Sequence, residues 1–288
     1  MFAPSFNYYR AGSIKEAGAL LKKHRGAKLL AGGHSLIPLL KLRLAAPAAL
    51  VDIGRIKELK GVALKGKVLR IGALTTHAEL ASSKAVGEHC PALAEAAKMI
   101  GDPAVRNRGT IGGNVAHADP ASDLPTVLTA LGARFVVSSA GKSKTVDADK
   151  FFKGMMETAL GDKDLLVAIE VPVRQKGQGQ AYVKFAHPAS RYAVIGVAAT
   201  VTASGGKCTA ASVVLGGLVP SAVRATAVEK AITGQPLSAG AVAKAATQTA
   251  ADLGGEILGD VFASAKYRKA VAPVWVKRAL AAAADRAK

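Results

Sequence analysis

Two short glycine-rich segments carry residues whose types and spacing could do chemistry: Ala31-Gly32-Gly33-His34-Ser35 and Thr110-Ile111-Gly112-Gly113-Asn114. Paired glycines let a backbone approach a ligand closely and offer successive amide hydrogens to an anion. A diphosphate can be held in this way without a positive side chain. Either pair alone also suits an ordinary turn.

Competing chemistries fail on spacing. No GxGxxG opens a helix, which leaves a dinucleotide-binding Rossmann unit unsupported. Gly141-Lys142-Ser143 resembles the end of a phosphate-binding P-loop, but Val136 stands where the first glycine is needed, so the segment reads as a hairpin turn. His34 lies in a glycine loop, where shaping the loop or capping a ligand suits it better than general-base work. His117, Asp119 and Asp123 match no common metal-ligand spacing. Cys90 and Cys208 are the only cysteines, too few for an iron-sulfur cluster and without the spacing of a zinc site. They imply no disulfide framework and a reducing compartment.

The elements that must position these loops follow from local pattern. Ser13 and Glu16 have capping-box spacing ahead of a helix over 13–24. A short strand over 28–31 runs into Gly32, and another covers 49–52, so the chain opens as strand, helix, strand and glycine loop. Lys65-Gly66-Lys67 suits a hairpin turn, Thr76 and Glu79 form a second capping box, and 91–99 is helical. The stretch 101–125, dense in Gly, Pro, Asp and Asn, reads as a functional loop. A helix over 124–131 and strands over 134–137 and 165–171 follow, and Pro172 closes the last. Residues 174–179 have linker composition and mark the domain boundary. Beyond it, 181–185, 193–203 and 208–215 read as a three-stranded meander, and the Ala-rich segments 223–233, 239–253 and 264–284 as helices.

Half of the 288 residues are apolar, enough for a substantial core. The formal charge of +19 first suggests nucleic acid. However, Lys and Arg are scattered, and the densest cluster, Lys22-Lys23-His24-Arg25, has no interleaved aromatics. No nucleic-acid partner is expected. Solvated faces and an acidic protein partner fit better. The amino terminus lacks a secretory pattern, and the uncharged stretches 192–206 and 208–223 are too short to span a bilayer, so a cytoplasmic protein with no transmembrane segment is expected.

The order and wording of the segments resemble the FAD-binding subunits, or FAD domains, of the xanthine dehydrogenase and carbon monoxide dehydrogenase family, over nearly the whole chain. The anchors are residues 31–36 (AGGHSL), 106–114 (RNRGTIGGN), 119–123 (DPASD), and Leu165-Leu166 with Ile169-Glu170-Val171-Pro172. The two glycine motifs stand about eighty residues apart, as the family requires. The resemblance implies an α+β fold. A vanillyl-alcohol-oxidase (PCMH-type) FAD-binding domain over 1–175 has two α/β subdomains, about 1–55 and 56–175. A C-terminal domain over 178–288 has a three-stranded antiparallel sheet with helices.

The resemblance assigns the cofactor diphosphate to Gly32, Gly33, His34, Ser35, Thr110, Gly112, Gly113 and Asn114, with Leu29, Ala31, Leu36 and Ile111 in the same segments. Asp123 matches a carboxylate that binds ribityl or ribose hydroxyls; on local pattern alone it could instead cap the following helix. Leu166, Lys184 and Ile100 match positions near the flavin or adenine. On pattern alone Leu166 and Ile100 would be core residues and Lys184 a surface charge. Tyr192 matches a tyrosine beside the isoalloxazine in several relatives, or packs at a strand start. Arg191 replaces an acid found there in many relatives.

The implied activity is that of an oxidoreductase flavoprotein subunit with no catalytic side chain of its own. A molybdenum-cofactor large subunit oxidises substrate, a small subunit with two iron-sulfur clusters relays electrons, and FAD here passes them to NAD, a quinone or oxygen. The assembly would be a dimer of heterotrimers. A stand-alone flavin oxidase or reductase lacks an evident acid-base pair in this sequence. A basic RNA-binding scaffold without cofactor would not need intact glycine loops.

Overall fold

The computed structural model describes residues 2–139 and 141–287. Its first unit is a parallel three-stranded sheet in which Ala49–Asp52 lies between Asn7–Arg10 and Lys28–Leu30. Parallel neighbours need crossovers. The first crossover is the helix Ile14–Lys23, capped by Ser13 Oγ, which accepts from the Glu16 amide at 3.1 Å. The Glu16 carboxylate reaches the Gly12 amide at 2.7 Å, one residue before the position a reciprocal box requires. The second crossover contains a helix, Leu36–Lys41, that sequence pattern did not predict. Ala17, Leu21, Val51, Ile53 and Ile56 form the core here, joined by Leu74 and Leu165 from the next unit.

That next unit is a five-stranded antiparallel sheet ordered Val62–Lys65, Val68–Gly72, Asp164–Pro172, Arg134–Ser139, Lys142–Asp147. The expected hairpin turns through Gly66, and the second capping box is reciprocal, with Thr76 N donating to Glu79 Oε2 at 2.7 Å and Glu79 N to Thr76 Oγ1 at 3.2 Å. Phe135 and Phe151, both fully buried with ring centroids 4.3 Å apart, centre the core between sheet and helices. The stretch 101–125 is not the continuous loop its composition predicts. It contains the helices Pro103–Arg106 and Ile111–His117 and the start of Asp123–Ala130. Its Asp, Pro and Thr are cap chemistry: Asp102 accepts from Val105 N at 2.8 Å, with Pro103 at the first helical position.

The C-terminal sheet has four antiparallel strands, not three: Gln178–Ala186, Ala193–Ser204, Lys207–Gly216 and the two-residue Val223–Arg224. The predicted helix over 223–233 therefore starts only at Thr226, and the one over 239–253 is two, Ala239–Ala246 and Thr249–Asp252. Both faces of this sheet are covered. Tyr182, Ala198 and Val214 pack into the core of the preceding unit, whereas Ala181, Val197, Val213 and Leu215 pack beneath the helices, of which Ala265–Arg286 is the longest. Double-sided burial explains why Ala193–Ser204 is almost continuously apolar. The architecture is α+β. Among the described residues no helix is long and apolar enough to cross a membrane.

Replacing Phe151 by Ala should lower the unfolding free energy by about 3–5 kcal/mol, the usual result of deleting a buried aromatic ring. Urea denaturation would read this, and a loss below about 1 kcal/mol would contradict the placement of Phe151 at the centre of the core.

Candidate functional site

The first glycine loop joins the end of Lys28–Leu30 to the helix Leu36–Lys41. Gly33 has a left-handed φ of 77°, and His34 Nδ1 lies 3.1 Å from the Gly32 carbonyl. The amides of Gly32, Gly33, His34 and Ser35 donate to no group among the described residues. The second loop is stitched to residues 73–77. Ile111 N donates to Thr75 O at 2.9 Å, Gly112 N to Ala73 O at 2.8 Å, and His77 N to Gly109 O at 3.0 Å. Thr110 caps the helix Ile111–His117 by accepting from Gly113 N at 3.1 Å.

These two loops touch. A Cβ on Gly32 would collide with the Arg108 carbonyl oxygen and lie 3.0 Å from Gly109 Cα, and one on Gly113 would lie 3.9 Å from Ala31 Cβ. Behind the junction, His77 is 3% exposed, with its ring against Gly109. Its Nδ1 is buried with no partner among the described residues. Burial, followed by the positive fields of His34 and Arg106, lowers its pKa from the ordinary 6.5 to about 4.

From the second loop a polar line runs toward the C-terminal sheet. Asn114 Nδ2 donates to Ser122 Oγ at 3.1 Å, while its buried Oδ1 has no partner among the described residues. Ser122 occupies the N-cap, so Asp123 is the first helical residue and not the cap. Both Asp123 oxygens are engaged: Oδ1 accepts from Tyr182 Oη at 2.5 Å and Oδ2 from Lys184 Nζ at 3.0 Å. Lys184 is no surface charge, since its side chain is 2% exposed and Nζ also donates to the carbonyls of Met99 at 3.0 Å and Arg191 at 2.8 Å. Burial pushes the Asp123 carboxyl up, against the opposing pull of Lys184 and Tyr182. Burial and the Asp123 charge push the Tyr182 phenol well up.

Arg191 has φ of 60°, and the next amide but one, Ala193 N, donates to Ala121 O at 3.0 Å. Tyr192 thus sits on a turn held from both sides, 42% exposed, its phenol pushed up by burial and then by Asp119 and Asp123. Leu29, Ala31 and Leu36 are half-buried around the first loop. Ile100, Ile111 and Leu166 lie in the central core, Leu166 beside a break in strand register. The structure therefore brings together the two glycine loops, and separately Asp123, Lys184 and the Tyr192 turn, with Asn114 linking the sets. Pattern reading missed Arg108, His77 and Tyr182. Tyr182 and Lys184 are two apart on one strand, so they share a sheet face, which was a usable signal. No group of His, Cys, Asp and Glu among the described residues could hold a metal.

A histidine with a depressed pKa stabilises the fold only while neutral. Its contribution is complete above 6.5 and is lost as pH falls through the window to about 4, by up to about 3 kcal/mol. Urea midpoints measured across that window should fall more steeply for the native chain than for His77→Leu. Parallel curves would refute the assignment.

The geometry has close counterparts. Residues 4–174 match the family described as the FAD binding domain in molybdopterin dehydrogenase, and residues 180–283 the CO dehydrogenase flavoprotein C-terminal domain. The carbon monoxide dehydrogenase medium chain of Hydrogenophaga pseudoflava is 42% identical over 98% of both chains. The glyceraldehyde dehydrogenase medium chain of Sulfolobus acidocaldarius is 38% identical over 97% of this chain and 98% of its own. Among solved structures, carbon monoxide dehydrogenase from Hydrogenophaga pseudoflava superposes with a TM-score of 0.95 at 43% identity over 99% of both chains. Quinoline 2-oxidoreductase from Pseudomonas putida 86 gives 0.94 at 31% identity, over 100% of this chain and 99% of that one. With both halves matched at nearly full length, the chain belongs to the FAD-binding, medium-subunit family of the molybdenum hydroxylases.

Proposed function

We propose that the chain is the flavoprotein subunit of a molybdenum hydroxylase and holds FAD with its diphosphate across the two glycine loops. One observation carries this reading: four consecutive amides, Gly32 to Ser35, have no partner among the described residues and begin where the first loop presses against the second at Gly32. Amides without partners in a part-buried turn are costly unless an acceptor or water meets them, and a dianionic linker is a strong acceptor. The hydroxyls of Ser35 and Thr110 can donate to the same linker, whereas the orphaned Asn114 Oδ1 accepts only and so suits a hydroxyl of the cofactor.

FAD supplies a centre that takes electrons singly and releases them in pairs. The chain's own residues bind and orient it. Each Asp123 oxygen keeps a lone pair beyond those used by Tyr182 and Lys184, available to a ribityl or ribose hydroxyl. Leu166 and Ile100 form apolar wall, and Tyr192 is assigned beside the isoalloxazine. In this reading residues 1–175 form the FAD domain of vanillyl-alcohol-oxidase type, with subdomains at about 1–55 and 56–175, and 178–288 the C-terminal domain. Electrons arrive from a small subunit with two iron-sulfur clusters, fed by a molybdenum-cofactor large subunit, and leave to NAD, a quinone or oxygen. A dimer of heterotrimers in the cytoplasm completes the proposal, and the two buried free cysteines suit that compartment.

Titration of the flavin-free chain with FAD, followed by flavin fluorescence, tests the reading. Gly32→Ala forces the loops apart and should weaken binding by up to about a hundredfold. Riboflavin, which lacks the diphosphate, should not compete. Unchanged affinity in the variant, or equal competition by riboflavin, would overturn the proposal.

A further inference from the structure

Tyr182 does more than fill its place in the core. Its ring packs with Ala198 and Val214 into the core of the preceding unit, a task that a phenylalanine would also perform. The hydroxyl is not explained by packing. Tyr182 is 2% exposed, and a buried phenol needs a partner, which here is Asp123 Oδ1 at 2.5 Å. The next strand makes room for this oxygen. Gly196 stands opposite Lys184 in the ladder, and a Cβ on it would lie 2.6 Å from the Tyr182 oxygen. A larger residue at 196 would therefore drive the phenol away from the carboxylate.

The main chain of Tyr182 is held as firmly as its ring. Gln178–Ala186 is the edge strand of its sheet, so its outward amides and carbonyls must find partners elsewhere. Glu95, on the helix Pro91–Met99, accepts from the Tyr182 amide at 3.0 Å with one oxygen and pairs with Arg286 at 2.7 Å with the other. Arg286 in turn donates to the Gln180 carbonyl at 2.7 Å. The phenol is thus aimed by a ring in a packed core and by a backbone clamped on both sides of Ala181.

Resting on the proposed function, we infer that Tyr182 is a positioning residue for the cofactor: its phenol holds Asp123 as an oriented, ionised acceptor for a ribityl or ribose hydroxyl. Burial raises the Asp123 carboxyl, and Lys184 and then Tyr182 draw it back. The other charged and titratable groups around the cluster are Glu95 at the Tyr182 amide and Tyr192 on the adjoining turn, whose phenol also feels Asp119. A proton on Asp123 competes with the cofactor hydroxyl for the same oxygens, so affinity falls as pH drops through the Asp123 titration. Removing the Tyr182 bond favours that proton, and the fall then begins at a higher pH.

FAD titrations of the full chain from neutral to acid pH, read by flavin fluorescence, test the inference. Tyr182→Phe removes one oxygen and keeps the ring, and unchanged circular dichroism checks its fold. On the acid side it should bind FAD at least about tenfold more weakly than the native chain, with its acid limb displaced to higher pH. Gly196→Ala, which crowds the same oxygen while retaining the tyrosine, should displace the limb in the same direction. In an Asp123→Asn chain the further change Tyr182→Phe should add nothing, because the group it positions no longer titrates. A merely structural loss would weaken binding equally with and without the carboxylate and leave the limb in place. That result overturns the inference, as do superimposable pH profiles for the native and Tyr182→Phe chains. Failure of the native chain to bind FAD would instead defeat the functional reading itself.

Discussion

The site depends on one close approach, the backbone of Gly32 against the carbonyl of Arg108. No side chain fits between them. Two loops, one following a parallel strand and the other set between two short helices, thereby meet backbone to backbone. Main-chain placement is more exact than side-chain placement, because the packed sheets behind it leave few torsions free. His77 extends the constraint, its ring filling the space behind Gly109 that a Cβ would otherwise take.

The second requirement is charge. Asp123 and Lys184 are both withdrawn from water, and a buried pair holds its place only when further hydrogen bonds satisfy the remaining valences. Tyr182, the Met99 carbonyl and the Arg191 carbonyl supply them. The cluster thus joins the helix Asp123–Ala130, the end of Pro91–Met99, the strand Gln178–Ala186 and the turn before Ala193. Such a pair is weak evidence for stability. It is stronger evidence that these four segments can meet in only one arrangement, since any misfit would strand a charge.

Much of this was legible in the sequence because the signals were local. The glycine loops, the Thr76 cap, the hairpin at Gly66 and the meander strands each depend on a few adjacent residues. The stretch 101–125 misled because residues that terminate helices also initiate them. Asp102 and Pro103 read as breakers, and in fact Asp102 is a cap and Pro103 the first helical residue after it. The helix Leu36–Lys41 escaped because Pro38 interrupts the pattern, although a proline is tolerated in a first turn. The strand Val223–Arg224 has two residues and no periodicity to detect. Lys184 was open to reading as solvated because its partner lies 61 residues away and only tertiary structure reveals it. The depressed titration of His77 was invisible for the same reason.

The C-terminal sheet, closed on both sides, has a geometric consequence. Along Gln178–Ala186 successive side chains turn opposite ways, Tyr182 and Lys184 toward the buried carboxylate, Val183 and Phe185 toward the long helix. The rings outside and the ammonium inside are thus carried by adjacent residues of one backbone, and the thickness of a single strand is all that separates the two environments.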